Sequence, residues 1–209
     1  ICDGLLDSTS GGVTRFGRLV VEECNRLGVV LDCTHVGKRS TLEIIDHSRD
    51  PVIFSHSNPS RLAPNPRNID DEQMRACAGR GGLIGLVAWG PLVMRPGTTH
   101  WPTLDEYIDM VLYAARLLGG TAPLAFSTDM SLGTYPRHDA DPWGEPPYPR
   151  IADDYGRHVT ADARSARRSL DGFSDYAHAG ALAERMLARG LTEPDVRGIL
   201  GENALRVFD

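Results

Sequence analysis

Short apolar runs alternate with longer amphipathic stretches along most of this chain. The runs at residues 29–33, 51–55, 83–89 and 124–128 are bounded by glycine, proline and small polar residues, and read as buried parallel strands. Helical spacing fills the segments between them. Residues 14–27 place Phe16, Leu19, Val20, Cys24 and Leu27 on one face, with Gly28 as the stop. Ser40-Thr41-Leu42-Glu43 has the form of a capping box, because a carboxylate at its fourth position can reach back to the cap amide; the helix it opens ends before Pro51. Asp70 caps the next helix, with Ile69 and Met74 as a hydrophobic staple, and that helix closes in Gly79-Arg80-Gly81-Gly82. Thr103-Leu104-Asp105-Glu106 starts another, which runs to Leu118 and stops at Gly119-Gly120. The tail is helical at 174–189, 192–200 and 203–208, and is expected to pack across the outside of the sheet for stability rather than chemistry.

Four helix–strand alternations predict an α/β fold with a parallel sheet and right-handed crossovers. A (β/α)8 barrel of the TIM type needs eight such units and about 250 residues. Two readings therefore stay open: an open sheet, or a chain carrying roughly the last four βα units of a barrel plus C-terminal helices. Either way residues 1–209 read as a single domain, with a long loop over 131–169 rich in proline, aspartate and arginine. A loop of that length is usually functional or a clamp across an opening.

Candidate chemistry gathers at the strand ends. The first two strands each close on a small polar residue followed by histidine, giving Thr34-His35 and Ser55-His56. In a parallel α/β sheet all C-terminal strand ends open on one face, where such folds place their sites. Neighbouring strands about 4.8 Å apart let both imidazoles reach one metal at about 2.0–2.1 Å. The fourth strand delivers Asp129 in the same register, so His35, His56 and Asp129 alone could at most make a three-ligand, one-metal site. Asp32, within the first strand, needs polar partners and could orient a ligand histidine from behind. His47, His100, His138, His158 and His178 lack a strand-end setting and read as solvated or capping residues.

Two other motifs carry less. The glycines at 79–82 follow a helix and precede a strand, the reverse of a dinucleotide fingerprint. Ser55 and Ser57 lack the Gly-x-Ser-x-Gly elbow of a serine hydrolase.

Composition narrows the partners. With 41% hydrophobic and 24% charged residues, the 209-residue chain is an ordinary globular sequence. A net charge of −6 with no basic run argues against nucleic acid. The longest uncharged apolar stretch, residues 81–93, is too short to span a bilayer. Four cysteines without ligand-like spacing read as reduced thiols. A cytoplasmic location is favoured, while a first residue other than methionine leaves an upstream targeting segment open.

The ordered motifs carry a resemblance. Gly28-Val29-Val30-Leu31-Asp32-Cys33-Thr34-His35-Val36-Gly37, then Pro51-Val52-Ile53-Phe54-Ser55-His56-Ser57-Asn58, then Pro66-Arg67-Asn68-Ile69-Asp70-Asp71-Glu72, then Gly81-Gly82-Leu83-Ile84-Gly85 and a closing Gly201-Glu202-Asn203-Ala204-Leu205-Arg206-Val207-Phe208 are together similar to the membrane (renal) dipeptidase family. These are zinc dipeptidases of the amidohydrolase superfamily. The resemblance implies a (β/α)8 barrel, a two-zinc site and a small dipeptide substrate. His35 and His56 would ligate the second zinc. Arg67 would hold the substrate carboxylate through its guanidinium fork, and Asp129 would act as general base and then general acid.

This sequence also departs from the pattern. The family's His-x-Asp pair and its metal-bridging glutamate have no counterpart here, as expected if the chain begins after them, and the chain by itself is expected to be incomplete for activity. Ser127-Thr128-Asp129-Met130-Ser131 replaces a glycine-rich pattern, and Trp89 stands where tyrosine is common. An amidohydrolase for another amide or lactone, or a non-catalytic half-barrel, are the alternatives, and a homodimer is left open.

Overall fold

The computed structural model describes residues 1–7, 10–130 and 169–209. Four parallel strands lie in chain order: β1 (Leu31–Asp32), β2 (Val52–Phe54), β3 (Leu83–Val87) and β4 (Leu124–Ser127). They alternate with helices α1 (Arg15–Leu27), α2 (Lys38–His47), α3 (Asp71–Gly79), a short α4 (Gly90–Val93) and α5 (Leu104–Leu118). The tail forms a 3₁₀ turn (Tyr176–His178), α6 (Ala179–Ala188), α7 (Glu193–Arg197), a wide π-type turn (Gly198–Glu202) and α8 (Asn203–Phe208). The architecture is thus α/β with an all-parallel sheet of the TIM-barrel type. The loop expected over 131–169 lies outside the described residues apart from Ser169.

The pairs Leu31↔Val52, Ile53↔Leu83 and Ile84↔Leu124 fix the register, so successive strands present alternate residues to the same face. Phe54, Ile84, Leu86 and Leu124 turn to the helices, where Met74, Cys77, Ile108, Met110 and Val111 meet them in one core. Each such side chain contributes about 1.5–3 kcal/mol on burial. α5 is anchored at both ends and along its buried face. Thr103 and Glu106 cap its start reciprocally, Gly119 ends it at φ 75°, and the buried Tyr107 hydroxyl donates to the Leu86 carbonyl at 3.0 Å.

The close spacing of β2 and β3 has a local cause. A Cβ on Gly85 would lie 2.1 Å from the Ser55 carbonyl oxygen, so only glycine lets the strands approach there. The Ser57 amide then donates to the Gly85 carbonyl at 2.9 Å. That bond holds the segment carrying His56 against the sheet.

The structure corrects four expectations. α1 buries Gly17, Val21 and Asn25, not the expected apolar face; Phe16, Leu19 and Leu27 are 63%, 54% and 59% exposed. The reason lies on the inner stripe. Gly17 admits the Ile1 carbonyl, and Asn25 exchanges hydrogen bonds with Ser48 and Arg49. α2 begins at Lys38, so Ser40 lies inside the helix, where its hydroxyl accepts from the Asp3 amide, and Glu43 turns to the Val13 amide. β3 ends at Val87, because Trp89 caps α4. The tail is not confined to the outside of the sheet, since Tyr176 reaches the strand-end rim described below.

Among the described residues β1 and β4 each pair on one side only. Exposed apolar side chains gather in the first and last elements of the chain, Phe16 and Leu19 at one end and Leu187, Leu205 and Phe208 at the other. No described helix is long and apolar enough to cross a membrane.

Candidate metal centre

His35 and His56 meet at the C-terminal rim of β1 and β2. Their Nε2 atoms are 3.2 Å apart, with the rings edge to face. Asp129, beyond β4, brings Oδ1 to 4.0 Å from His56 Nε2. His35 and Asp129 are also the non-glycine residues with positive φ among those described, at 66° and 54°. Such left-handed backbone costs about 1–3 kcal/mol at a residue with a Cβ. The chain therefore turns sharply at both positions where a site side chain must leave the strand line. The Leu5 amide holds the first turn by donating to the His35 carbonyl at 2.8 Å.

Behind His56 lies a chain of polar side chains. Ser55 Oγ is 2.7 Å from His56 Nδ1 and donates to Asp32 Oδ2 at 2.5 Å. Asp32 Oδ1 accepts from the amides of Thr34 and Ser55 at 2.9 and 3.1 Å. Burial pushes the Asp32 carboxyl up, yet the hydrogen bonds from Ser55 and Thr34 outweigh it, leaving the group below its ordinary value and ionised. This arrangement is not a serine-hydrolase triad. There the carboxylate accepts from the histidine, whereas here it accepts from the serine hydroxyl.

The surroundings of both imidazoles disfavour the charged form. Burial, reinforced by the Arg67 guanidinium and by His56, lowers His35 to about 4. Burial also lowers His56, where the Asp129 carboxylate opposes it and Arg67 adds to it. Neutral imidazole is the form that binds metal.

Arg67 is 4% exposed, on a loop nailed to the end of β3 by two asparagines. Asn58 pairs its amide group with both backbone groups of Val87, at 2.9 and 3.0 Å. Asn68 donates to Ala63 and Leu92 and accepts from the Asn58 amide. These buried amides are satisfied by backbone, so the loop keeps one shape and sets its guanidinium within electrostatic reach of the two histidines.

Asp129 is held from the tail. The Tyr176 hydroxyl lies 2.8 Å from Thr128 Oγ1 and donates to the Met130 carbonyl at 3.2 Å, clamping the residues on either side of Asp129. Sequence reasoning passed over Tyr176, Thr34 and the positioning use of Ser55. A serine immediately before a strand-end histidine and an aspartate at the close of the preceding strand were the available signals; nothing local points to Tyr176.

The donor pair fits a zinc ion. Two nitrogens bound at about 2.0–2.1 Å in a tetrahedron lie about 3.3–3.4 Å apart, close to the 3.2 Å observed between the Nε2 atoms. Asp129 does not complete a three-ligand site. Among the described residues no three His, Cys, Asp or Glu side chains form a metal cage, and the Asp129 oxygen lies 4.0 Å from His56 Nε2, farther than the separation of two tetrahedral zinc ligands. The remaining described histidines lie elsewhere with their own carboxylates: His47 with Glu22, His100 with Glu106 and His178 with Asp175. His138 and His158 lie outside the described residues.

Known proteins share this arrangement of chain. Dipeptidase verJ of Clonostachys rogersoniana is 23% identical over 199 residues, which are 95% of this chain and 42% of the relative. An amidohydrolase from Pseudomonas aeruginosa superposes with a TM-score of 0.76 at 29% identity, covering 98% of this chain and 59% of that one. A metallopeptidase from Rhodobacter sphaeroides, liganded with a phosphinate mimic of the dipeptide L-Ala-D-Ala, gives 0.70 at 22% identity, with 96% and 47% covered. The chain thus spans about half the length of the relatives it matches. The model of the membrane dipeptidase family, peptidase family M19, matches residues 3–140, which contain His35, His56, Arg67 and Asp129, and this chain belongs to that family.

Proposed function

We propose that this chain supplies half of the active site of a zinc-dependent dipeptidase. The observation that carries the reading is the pair of Nε2 atoms 3.2 Å apart on one rim, with the Asp129 carboxylate beside them. His35 and His56 hold the second of two zinc ions; the ligands of the first come from residues beyond those described. Bound zinc lowers the pKa of water to about 7 and polarises the scissile carbonyl.

The chain's own residues do the rest. Arg67 receives the C-terminal carboxylate of the dipeptide, which sets the scissile carbonyl over the rim. Asp129 accepts a proton as water attacks the carbonyl carbon, then returns it to the amine as the C–N bond breaks. Dipeptides are favoured over other amides or lactones because the chain belongs to a dipeptidase family and a guanidinium can pair in bidentate fashion with a substrate carboxylate. Residues 1–209 form the C-terminal part of the barrel, and the missing strands close the open sides of β1 and β4. The exposed faces of α1 and the tail are where the helices of that other half pack.

Zinc titration and dipeptide hydrolysis, with and without chelator, test the reading. Turnover lost with chelator and restored by zinc is expected in the protein with its complete ligand set. The 209-residue chain alone should not turn over dipeptides. Activity that survives chelation would overturn the assignment.

A further inference from the structure

We propose that Asp32 and Ser55 are positioning residues that set the tautomer of His56, keeping the Nε2 lone pair turned toward the metal. The inference rests on the metal reading above and adds what makes one nitrogen of that ring the ligand. A carboxylate has no hydrogen to give, so at 2.5 Å from Asp32 Oδ2 the Ser55 hydroxyl must be the donor. Thr34 Oγ1, at 3.3 Å from Ser55 Oγ, is the weaker competitor for that single proton. With its hydrogen committed to Asp32, Ser55 Oγ can only accept across the 2.7 Å to His56 Nδ1. The imidazole therefore carries its proton on Nδ1, and Nε2 is bare. His35 Nε2, 3.2 Å away, completes the sequence as a donor until a metal displaces its proton. The polarity runs one way through four side chains, from His35 to Asp32.

The direction is reversible by one atom. Asp32 Oδ1 is fixed by two amide donors, Thr34 at 2.9 Å and Ser55 at 3.1 Å. In Asp32→Asn the oxygen must stay with those amides, which puts the NH₂ group against Ser55 Oγ. Ser55 then accepts from asparagine and donates to His56 Nδ1. The ring proton moves to Nε2 and blocks the metal.

The test uses histidine-labelled, metal-free protein and a long-range proton–nitrogen correlation spectrum, with zinc affinity measured by competition against a chromophoric chelator. The wild-type protein should show His56 protonated on Nδ1. Asp32→Asn should show it on Nε2, with zinc affinity down about 10–100-fold, the range for losing a partner of a ligand histidine. Adding Ser55→Ala to Asp32→Asn should suppress the defect to that of Ser55→Ala alone, because the wrong donor is gone. A purely structural role predicts instead that the two losses add. A wild-type ring protonated on Nε2, an unchanged tautomer in Asp32→Asn, or additive losses would overturn the proposal. A wild-type ring protonated on Nδ1 in a protein that binds no zinc supports the relay while sinking the metal reading.

Discussion

His56 and Asp129 are 4.0 Å apart, yet they are held in place by different parts of the chain. The imidazole rests on Ser55, one residue away, and through it on Asp32, 23 residues before Ser55. Asp129 is clamped by Tyr176, 48 positions beyond Thr128. The histidine pair is thus assembled from the ends of β1 and β2, while the carboxylate depends on the tail crossing the rim. Binding and turnover should separate when each support is removed in turn.

In the protein with its complete ligand set, to which all the rate predictions here refer, the largest effect should come from His56→Ala. Zinc affinity at the pair should fall by more than the about 10–100-fold that the loss of an outer partner costs, and hydrolysis should drop to background. Equilibrium dialysis and steady-state rates read both. Asp129→Asn should lower kcat by about 10²–10⁴-fold, the usual worth of a positioned acid–base, at wild-type zinc affinity. Zinc lost together with kcat would erase the contrast and make Asp129 a ligand.

Arg67→Ala removes charged hydrogen bonds worth about 1.5–3 kcal/mol. KM for dipeptides should rise about 10–150-fold, with kcat less affected; an unchanged KM would remove the carboxylate assignment. The same variant has a pH signature. Burial and then Arg67 hold His35 at about 4, below the ordinary imidazole value of 6.5, so without the guanidinium the ring of the metal-free protein should titrate higher by NMR. A depressed imidazole contributes stability that is full above about 6.5 and is lost as pH falls toward the folded value of about 4. Arg67→Ala should therefore reduce that acid-side loss.

The smallest effect belongs to the tail. Tyr176→Phe keeps the ring and deletes the clamp, at a cost of about 0.5–1.5 kcal/mol in stability. A modest fall in kcat at constant KM and zinc affinity is expected. A change in zinc affinity would tie the tail to the histidine pair after all.

Much of this is legible in the sequence. Four apolar runs gave the strands and their parallel order. Asp70 and Thr103 capped helices where expected, and His35, His56 and Asp129 fell at strand ends on one rim. Ser40 misled because a capping box is a local pattern, and here its hydroxyl met the Asp3 amide instead. α1 misled because periodicity defines a face without saying what covers it.

The sequence by itself determined the alternation of elements, the type of side chain at each strand end and the family. Strand period, cap chemistry and turn residues are short-range properties, readable within a few positions. Only the tertiary structure decided that the two imidazoles stand one metal's width apart, that the Ser55 hydroxyl joins a histidine to an aspartate from the neighbouring strand, and that a distant tyrosine holds the turn of Asp129. Those are distances between atoms on separate segments, set by register and packing, and no local pattern encodes them.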